Sequence, residues 1–406
     1  MEKSREIPIS ASSLRNILTL RYDPSLSSNL PSLSWKDFQN INEKPSIEFI
    51  ENELKKSLEK NISKSTKKIS IALSSGIDSN IILAIMKKTF PEIEINAITV
   101  RFSDSIDESE KVKKIAENFG INHHIENVEN FLEALPEAIS CIKLPFWDTH
   151  WFYVAKKAQT ISDKIITGNG GDELFGGYGF RYTKFLSLVN EKSSPLEKIK
   201  AYIECHNRDF IPEQTQVFDK KSNFSWDSIY KIFYPYFNNS LSLLNQVFLA
   251  DYNGKLRHNF TFINKKIDEY FNIKEINPML SPNLINYSSC LDSKYKYDNK
   301  NNLEKILLQK LAEKLELKSF VINKKQGFSM NTINSWNRHG KNICSYFLLD
   351  SRAARDKWIS HEWIKKNIKQ NDIDVRHVNK FYGLLAVEIW YRLFVTNEMS
   401  PREKLE

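Results

Sequence analysis

Cysteine is scarce in this chain, with four in 406 residues, at positions 141, 205, 290 and 344. None forms a CxxC pair, and the density is far below that of a small disulfide-stapled domain, so a disulfide framework and the usual cysteine metal sites are excluded. The cysteines are expected to be reduced and buried. Long apolar runs are also missing. The longest, 383–395, contains Glu388 and Arg392 and is too short to span a bilayer. The opening MEKSREIPIS has charge but no apolar core of a signal peptide. Together these absences predict a soluble, cytosolic protein. An arginine-rich arm is absent too. The net charge of +8 comes from lysines spread along the chain, which reads as solvated faces and favours anionic small molecules over nucleic acid, although an RNA partner stays possible. Neither GxGxxG nor a Gly-Lys-Ser/Thr loop occurs, which excludes the dinucleotide fingerprint and the Walker loop. No internal repeat is found.

Glycine is sparse as well, 12 in all, but five lie between positions 168 and 177. Two stretches follow from that observation. In the first, Lys67 to Leu73 is a short apolar β-favouring run, predicted as a buried strand. It ends at Ser74-Ser75-Gly76-Ile77-Asp78-Ser79, after which Asn80 to Thr89 turns helical in period. Strand, small-residue turn and helix aim backbone N–H groups and a positive helix end at an anion. Ser74, Ser75 and Ser79 add hydroxyls, and Gly76 permits a backbone angle or close approach that a side chain would block. Asp78 puts a carboxylate inside that phosphate cradle, which makes sense with a divalent cation between them. By itself the stretch equally fits a serine-rich turn with Asp78 capping the helix. In the second, the apolar strand Lys164 to Thr167 precedes Gly168-Asn169-Gly170-Gly171-Asp172-Glu173, and Asp172 offers a second oxygen ligand. A flexible loop with an Asp cap is the plain reading of this stretch alone. Two such turns in one α/β unit would both lie at the carboxyl ends of strands, where ligands gather.

The rest of the chain supplies the frame. Residues 1–45 are polar with Ser and Pro clusters, expected as a tail or strap on the surface. Glu48 to Lys60 is predicted helical. Ile93 to Val100 and Asn122 to Val128 are predicted strands, and 105–119, Phe131 to Ile142 and Trp151 to Thr160 helices, giving a parallel sheet with helices on both faces over 46–190. Beyond residue 185 the strand signal disappears. Pro195 to Asn207, Leu303 to Leu317 and Asn379 to Val395 have helical period, so 191–406 is expected mostly α. His123 and His124 would point to opposite faces of a strand and cannot jointly grip one ion. Leu144 to Tyr153 is expected as core and pocket wall, within which Asp148 either caps the next helix, the preferred reading, or faces the site.

Residues 73–80, LSSGIDSN, resemble the pyrophosphatase (PP) loop of the asparagine synthetase family, and residues 167–182, TGNGGDELFGGYGFRY, its partner loop. Lys324-Lys325-Gln326-Gly327-Phe328-Ser329 resembles the family's late lysine motif, Leu384 to Phe394 its closing helix, and Leu20 to Pro24 the linker before the synthetase half. The resemblance implies an adenine nucleotide α-hydrolase-like core, completed by the helical C-terminal part. It also implies a two-step reaction. A substrate carboxylate, aspartate or similar, attacks the α-phosphate of ATP, pyrophosphate leaves, and ammonia or an amine displaces AMP.

On the same grounds Asp78 and Asp172 would hold Mg²⁺, and Ser74, Ser75, Gly76 and Ser79 would cradle the phosphates. The backbone at Leu73 and Val100 would read adenine, and Gly168 would let the adenylate approach. Lys325, Asp172, Asn169 and Glu173 would form the catalytic set, with Lys325 following the α-phosphate as a mobile point charge. Ser75 replaces a family glycine and Asn80 a serine. Asn169 stands where the family has a glutamate proposed to deprotonate ammonia, a task an amide cannot perform near neutrality. Full-length members hydrolyse glutamine with an N-terminal cysteine; here Glu2 follows Met1, so no glutaminase activity is expected. Nitrogen would come as free ammonia, from a separate glutaminase, or on an amine substrate. The alternatives are a specialised amide ligase or macrolactam/β-lactam-type cyclase, a tRNA-modifying PP-loop enzyme, and a degenerate nucleotide-binding scaffold.

Overall fold

The computed structural model describes residues 9–39, 43–103, 107–317, 330–370 and 372–406. Five strands form one sheet: β1 (Lys68–Ala72), β2 (Glu94–Phe102), β3 (Asn122–Val128), β4 (Lys164–Ile166) and β5 (Lys274–Ile276), in the order β3-β2-β1-β4-β5. Every pairing is parallel, with Ile69 opposite Ile95, Ile71 opposite Ile166 and Ile165 opposite Glu275. Because strand side chains alternate, Ile69, Ile71, Leu73, Ile95 and Ala97 feed one apolar core, while Ala72, Ile98, Val100 and Ile165 feed another across the sheet.

On the first face the helix Ile77–Thr89 buries Ile81, Ile82, Ile85 and Met86. On the second, the helix Val375–Phe394 buries residues all round its circumference, and it packs against Leu135–Ile142. Each fully buried Leu or Ile here stabilises the fold by about 1.5–3 kcal/mol. Among the described residues no helix is long and apolar enough to cross a membrane.

Two expectations are corrected. The N-terminal stretch is no surface strap throughout: Ala11–Leu20 is a helix, capped by Ser10, whose Leu14, Ile17 and Leu18 are buried in the second core. Their i, i+3, i+4 spacing is the signal that the surrounding Ser and Pro clusters obscured. Strand structure also does not end at residue 185, because β5 adds the edge next to β4. Three residues are too few to show a period, and pairing with β4 decides their conformation. The C-terminal part therefore completes the sheet itself.

Candidate active site

Strand order reverses between β1 and β4, which leaves a crevice beyond their carboxyl ends. A cavity of about 560 Å³ opens there, lined by both turns that the sequence singled out. Ser74, Gly76, Asp78 and Ser79 come from the first, and Gly168, Asn169, Asp172 and Glu173 from the second.

The first turn is held by its own polar groups. Asn80, buried in the helix Ile77–Thr89, donates to the carbonyls of Ser74 (3.0 Å) and Gly76 (2.7 Å), while Gly76 N donates to Ser74 Oγ at 3.2 Å. The asparagine at position 80 is thus a clamp on the loop. Gly76 serves as the helix N-cap at φ −78°, an angle open to any residue, so its expected conformational freedom is not used. Asp78 lies in the first helical turn and is not the cap. Ser75 is buried and turned toward Glu108, whose carboxyl is raised by burial and drawn back by hydrogen bonding from Ser75. Ser75, Leu73 and Val100 do not line the cavity. The Leu73 N–H is taken up by Ile98 O and its carbonyl accepts from Thr99.

Among the described residues the two acids meet over the Lys305 ammonium. Lys305 Nζ lies 2.5 Å from Asp78 Oδ2 and 2.7 Å from Asp172 Oδ1. Burial works against the ammonium charge, but the two carboxylates hold its pKa well above the ordinary lysine value. The clustered glycines make this convergence possible. A Cβ on Gly171 would stand 2.5 Å from Asp78 Cγ, and one on Gly177 would stand 1.9 Å from Asp172 Oδ1 and 2.4 Å from Lys305 Cε. Local sequence gives no sign of Lys305, which looks like a solvated lysine of the predicted helix Leu303 to Leu317. The helix in fact starts at Ile306, and Lys305 precedes it in the left-handed region at φ 49°. For a divalent cation the donor set fits: two hard carboxylate oxygens from separate turns already gathered around positive charge. Among the described residues no group of three His, Cys, Asp or Glu side chains could hold a metal, so further ligands would have to arrive with a substrate or as water.

Two further carboxylates lie beside the site without a local sequence signal. Glu275 on β5 accepts from Thr167 Oγ1 (2.6 Å) and Asn169 Nδ2 (3.3 Å). Asp268 accepts from Trp151 Nε1 at 2.7 Å. Burial raises both, and Asp268, further opposed by the Glu275 charge, is pushed up to about 8. The hydrogen bonds that Glu275 accepts from Thr167 and Asn169 favour its charged form and act against that burial. Glu173 is buried and accepts from Tyr178 Oη. Lys325 falls outside the described residues.

The far wall of the cavity is ionic. Arg21 reaches Asp148 (3.2 Å) and Asp209 (2.8 Å), and Lys255 reaches Asp209 (3.1 Å). Asp148 does not cap its helix: the N-cap of His150–Ala158 is Thr149, and Asp148 pairs with Arg21 and His150. Burial opposes its charge, yet His150 and Arg21 hold it down to about 2. Arg181 stacks over Tyr178, 4.0 Å from the ring centroid, and meets His206 Nε2 at 3.0 Å. Trp147 and Trp151 line the same wall, as expected of Leu144 to Tyr153. His123 and His124 bond separately to Thr99 and Asn96, on opposite faces of the sheet.

An α/β protein with two acids and a lysine gathered at the switch point of a parallel sheet is the class that fold and site define. The chain belongs to the asparagine synthase family, whose model matches residues 50–392. It is 21% identical over 378 residues to the glutamine-hydrolyzing asparagine synthetase 1 of Bacillus subtilis (strain 168), covering 82% of this chain and 57% of that one. A putative glutamine-hydrolyzing asparagine synthetase 2 of Methanocaldococcus jannaschii is 29% identical over 30% of this chain and 26% of its own length. One from Mycobacterium bovis is 33% identical over 29% and 18%. The chain therefore spans little more than half the length of the Bacillus relative. Among solved structures, the U34-tRNA thiolase NcsA of Methanococcus maripaludis overlaps 84% of this chain and 86% of its own at 13% identity. Its TM-score of 0.29 is too low to support a functional parallel.

Proposed function

We propose that this protein is an ATP-dependent, AMP-forming carbon–nitrogen ligase. It joins a carboxylate substrate, aspartate or a similar acid, to ammonia or an amine. The observation that carries this reading is the convergence of Asp78 and Asp172, from separate turns, on the single charge of Lys305. Asp78 and Asp172 would hold Mg²⁺, which when bound supplies neutralisation of the charge on departing pyrophosphate. The N–H groups of the Ser74–Ser79 turn, with the Ser74 and Ser79 hydroxyls, orient the phosphates; Asn80 keeps that turn from relaxing. Gly168 lets the adenylate lie against the chain. Arg21, Arg181 and Lys255 on the far wall attract the anionic acyl substrate, and Trp147 and Trp151 exclude water from it. Asn169 cannot accept a proton, and Glu275, bonded to Asn169 just outside the cavity lining, is the carboxylate we assign to take the proton from the incoming nitrogen nucleophile, which must displace that bond to reach it.

The test is Mg²⁺-dependent exchange of pyrophosphate into ATP, screened across amino acids. Exchange with one acid, lost in Asp78→Ala, supports the reading; none with any acid argues against it. Because Asn169 breaks the ammonia-type pattern, an amine-bearing second substrate or a lactam-forming cyclisation is the competing reading. Product analysis with ammonia and with candidate amines separates the two.

A further inference from the structure

We infer that Lys305 is an internal stand-in for the metal, so that a divalent cation enters between Asp78 and Asp172 only in company with a polyphosphate that draws the lysine away. The inference rests on the nucleotide reading above, but the geometry behind it is independent of any substrate. An ammonium 2.5 Å from one carboxylate and 2.7 Å from the other occupies the position a dication would need. An ammonium and a dication held by the same two carboxylates repel, and in a partly desolvated site the repulsion is weakly screened. The Lys305 side chain is 11% exposed, so it is a buried counter-charge and not a passing surface contact.

The surrounding backbone is arranged to keep it there. Lys305 N donates to Gly176 O at 3.3 Å, and the neighbouring Glu304 carboxylate accepts from Gly179 N at 2.9 Å. Gln309 holds the Glu304 carbonyl at 2.7 Å, and Ile306 N donates to Lys296 O. The segment 304–306 is thereby fastened to the glycine-rich turn, in a left-handed conformation at Lys305 that few residues adopt without support. Gly177 provides the gap through which the lysine stem reaches Asp172. What can move is the four-carbon side chain, a flexible point charge able to exchange one set of oxygens for another.

Two consequences follow. Without nucleotide the protein offers a metal two carboxylates half of whose charge Lys305 already neutralises, at the position the metal would take, so metal alone binds poorly. With nucleotide, the phosphates accept the lysine and supply ligands at once, so metal and nucleotide each strengthen the other's binding by the same factor. Lys305 is in this sense a positioning residue that sets the order of assembly.

Mn²⁺ binding to the full chain, followed by the electron paramagnetic resonance signal of the free ion, tests this with and without α,β-methylene ATP, the Mn²⁺ taken up by the analogue alone being measured without protein and subtracted. Wild type is expected to bind Mn²⁺ at least tenfold more tightly with the nucleotide analogue than without it. Lys305→Gln is expected to bind Mn²⁺ alone at least tenfold more tightly than wild type and to lose most of the enhancement by nucleotide. A gain in metal affinity on removal shows that the ammonium excludes the metal, and loss of the enhancement by nucleotide in the same variant is what a purely structural lysine would not produce. Lys305→Arg, which keeps the charge, is expected to stay weak without nucleotide. The inference is overturned if Lys305→Gln folds and its affinity for Mn²⁺ alone does not rise. It is equally overturned if wild type binds Mn²⁺ as tightly without the bound analogue as with it, a measurement that needs no variant. Failure of the analogue to bind at all, read by calorimetry, refutes the nucleotide site and with it the polyphosphate-coupled entry proposed here. A rise in Lys305→Gln affinity for Mn²⁺ alone would then uphold only the ammonium–metal exclusion.

Discussion

Asn169 points its side-chain amide at Glu275, 3.3 Å from Oε1, and Thr167 donates to the same oxygen. A carboxylate is therefore present one side chain away from the position where the family's glutamate is missing. Glu275→Gln is expected to slow amide formation by about 10²–10⁴-fold, the range of a lost general base. Pyrophosphate exchange should change far less. Equal loss of both would make Glu275 structural. In Asn169→Glu a second carboxylate beside Glu275 raises the pKa of one of them. Ammonia-dependent amide formation appearing in that variant would mark a drifted ammonia site.

The Asp268–Glu275 pair predicts a pH dependence of stability. Asp268 holds its proton in the folded state up to about 8 and loses it near the ordinary carboxylate value when unfolded. Between those values the folded state binds more protons, so this group's contribution to stability declines as pH rises through the window and is flat above about 8. Asp268→Asn removes the titration and keeps an oxygen for Trp151. Urea denaturation from pH 5 to 8 should show the variant gaining on wild type by at least about 1 kcal/mol, about one pKa unit's worth. A constant difference across that range would contradict the assignment.

Gly171 and Gly177 admit the acids and the lysine by having no side chain. Alanine at 177 places a methyl where Asp172 and Lys305 now meet, and alanine at 171 displaces Asp78. Each substitution is expected to cost about 1–3 kcal/mol of stability, as overpacking does, and to reduce pyrophosphate exchange. Chemical denaturation and the exchange assay on the same samples would check both. An alanine variant with wild-type exchange would show that the close approach is not required.

Asp78→Ala and Asp172→Asn each remove a proposed cation ligand and leave Lys305 with a single described carboxylate. Exchange is expected to fall at least about a hundredfold. Thermal stability should drop as well, because breaking a largely buried ion pair costs about 3 kcal/mol. Circular dichroism separates loss of chemistry from loss of fold, and a folded Asp172→Asn protein with undiminished exchange would remove Asp172 from the site.

The sequence by itself determined the two turns, the parallel sheet they follow and the family they resemble. Those features are local: a short apolar run, a few small residues and the start of a helical period lie within about a dozen positions of one another. Asp78 and Asp172 could be singled out because each sits in such a signature. Lys305, Glu275 and the Arg21–Asp148–Asp209 wall could not. Lys305 reads as one more lysine in a basic chain, and its left-handed backbone and the late helix start turn it inward. Glu275 lies on a three-residue strand that exists only because β4 is there to pair with it. Only the tertiary structure decided which charges meet, because an ion pair between residues 227 positions apart leaves no periodicity for a sequence to show.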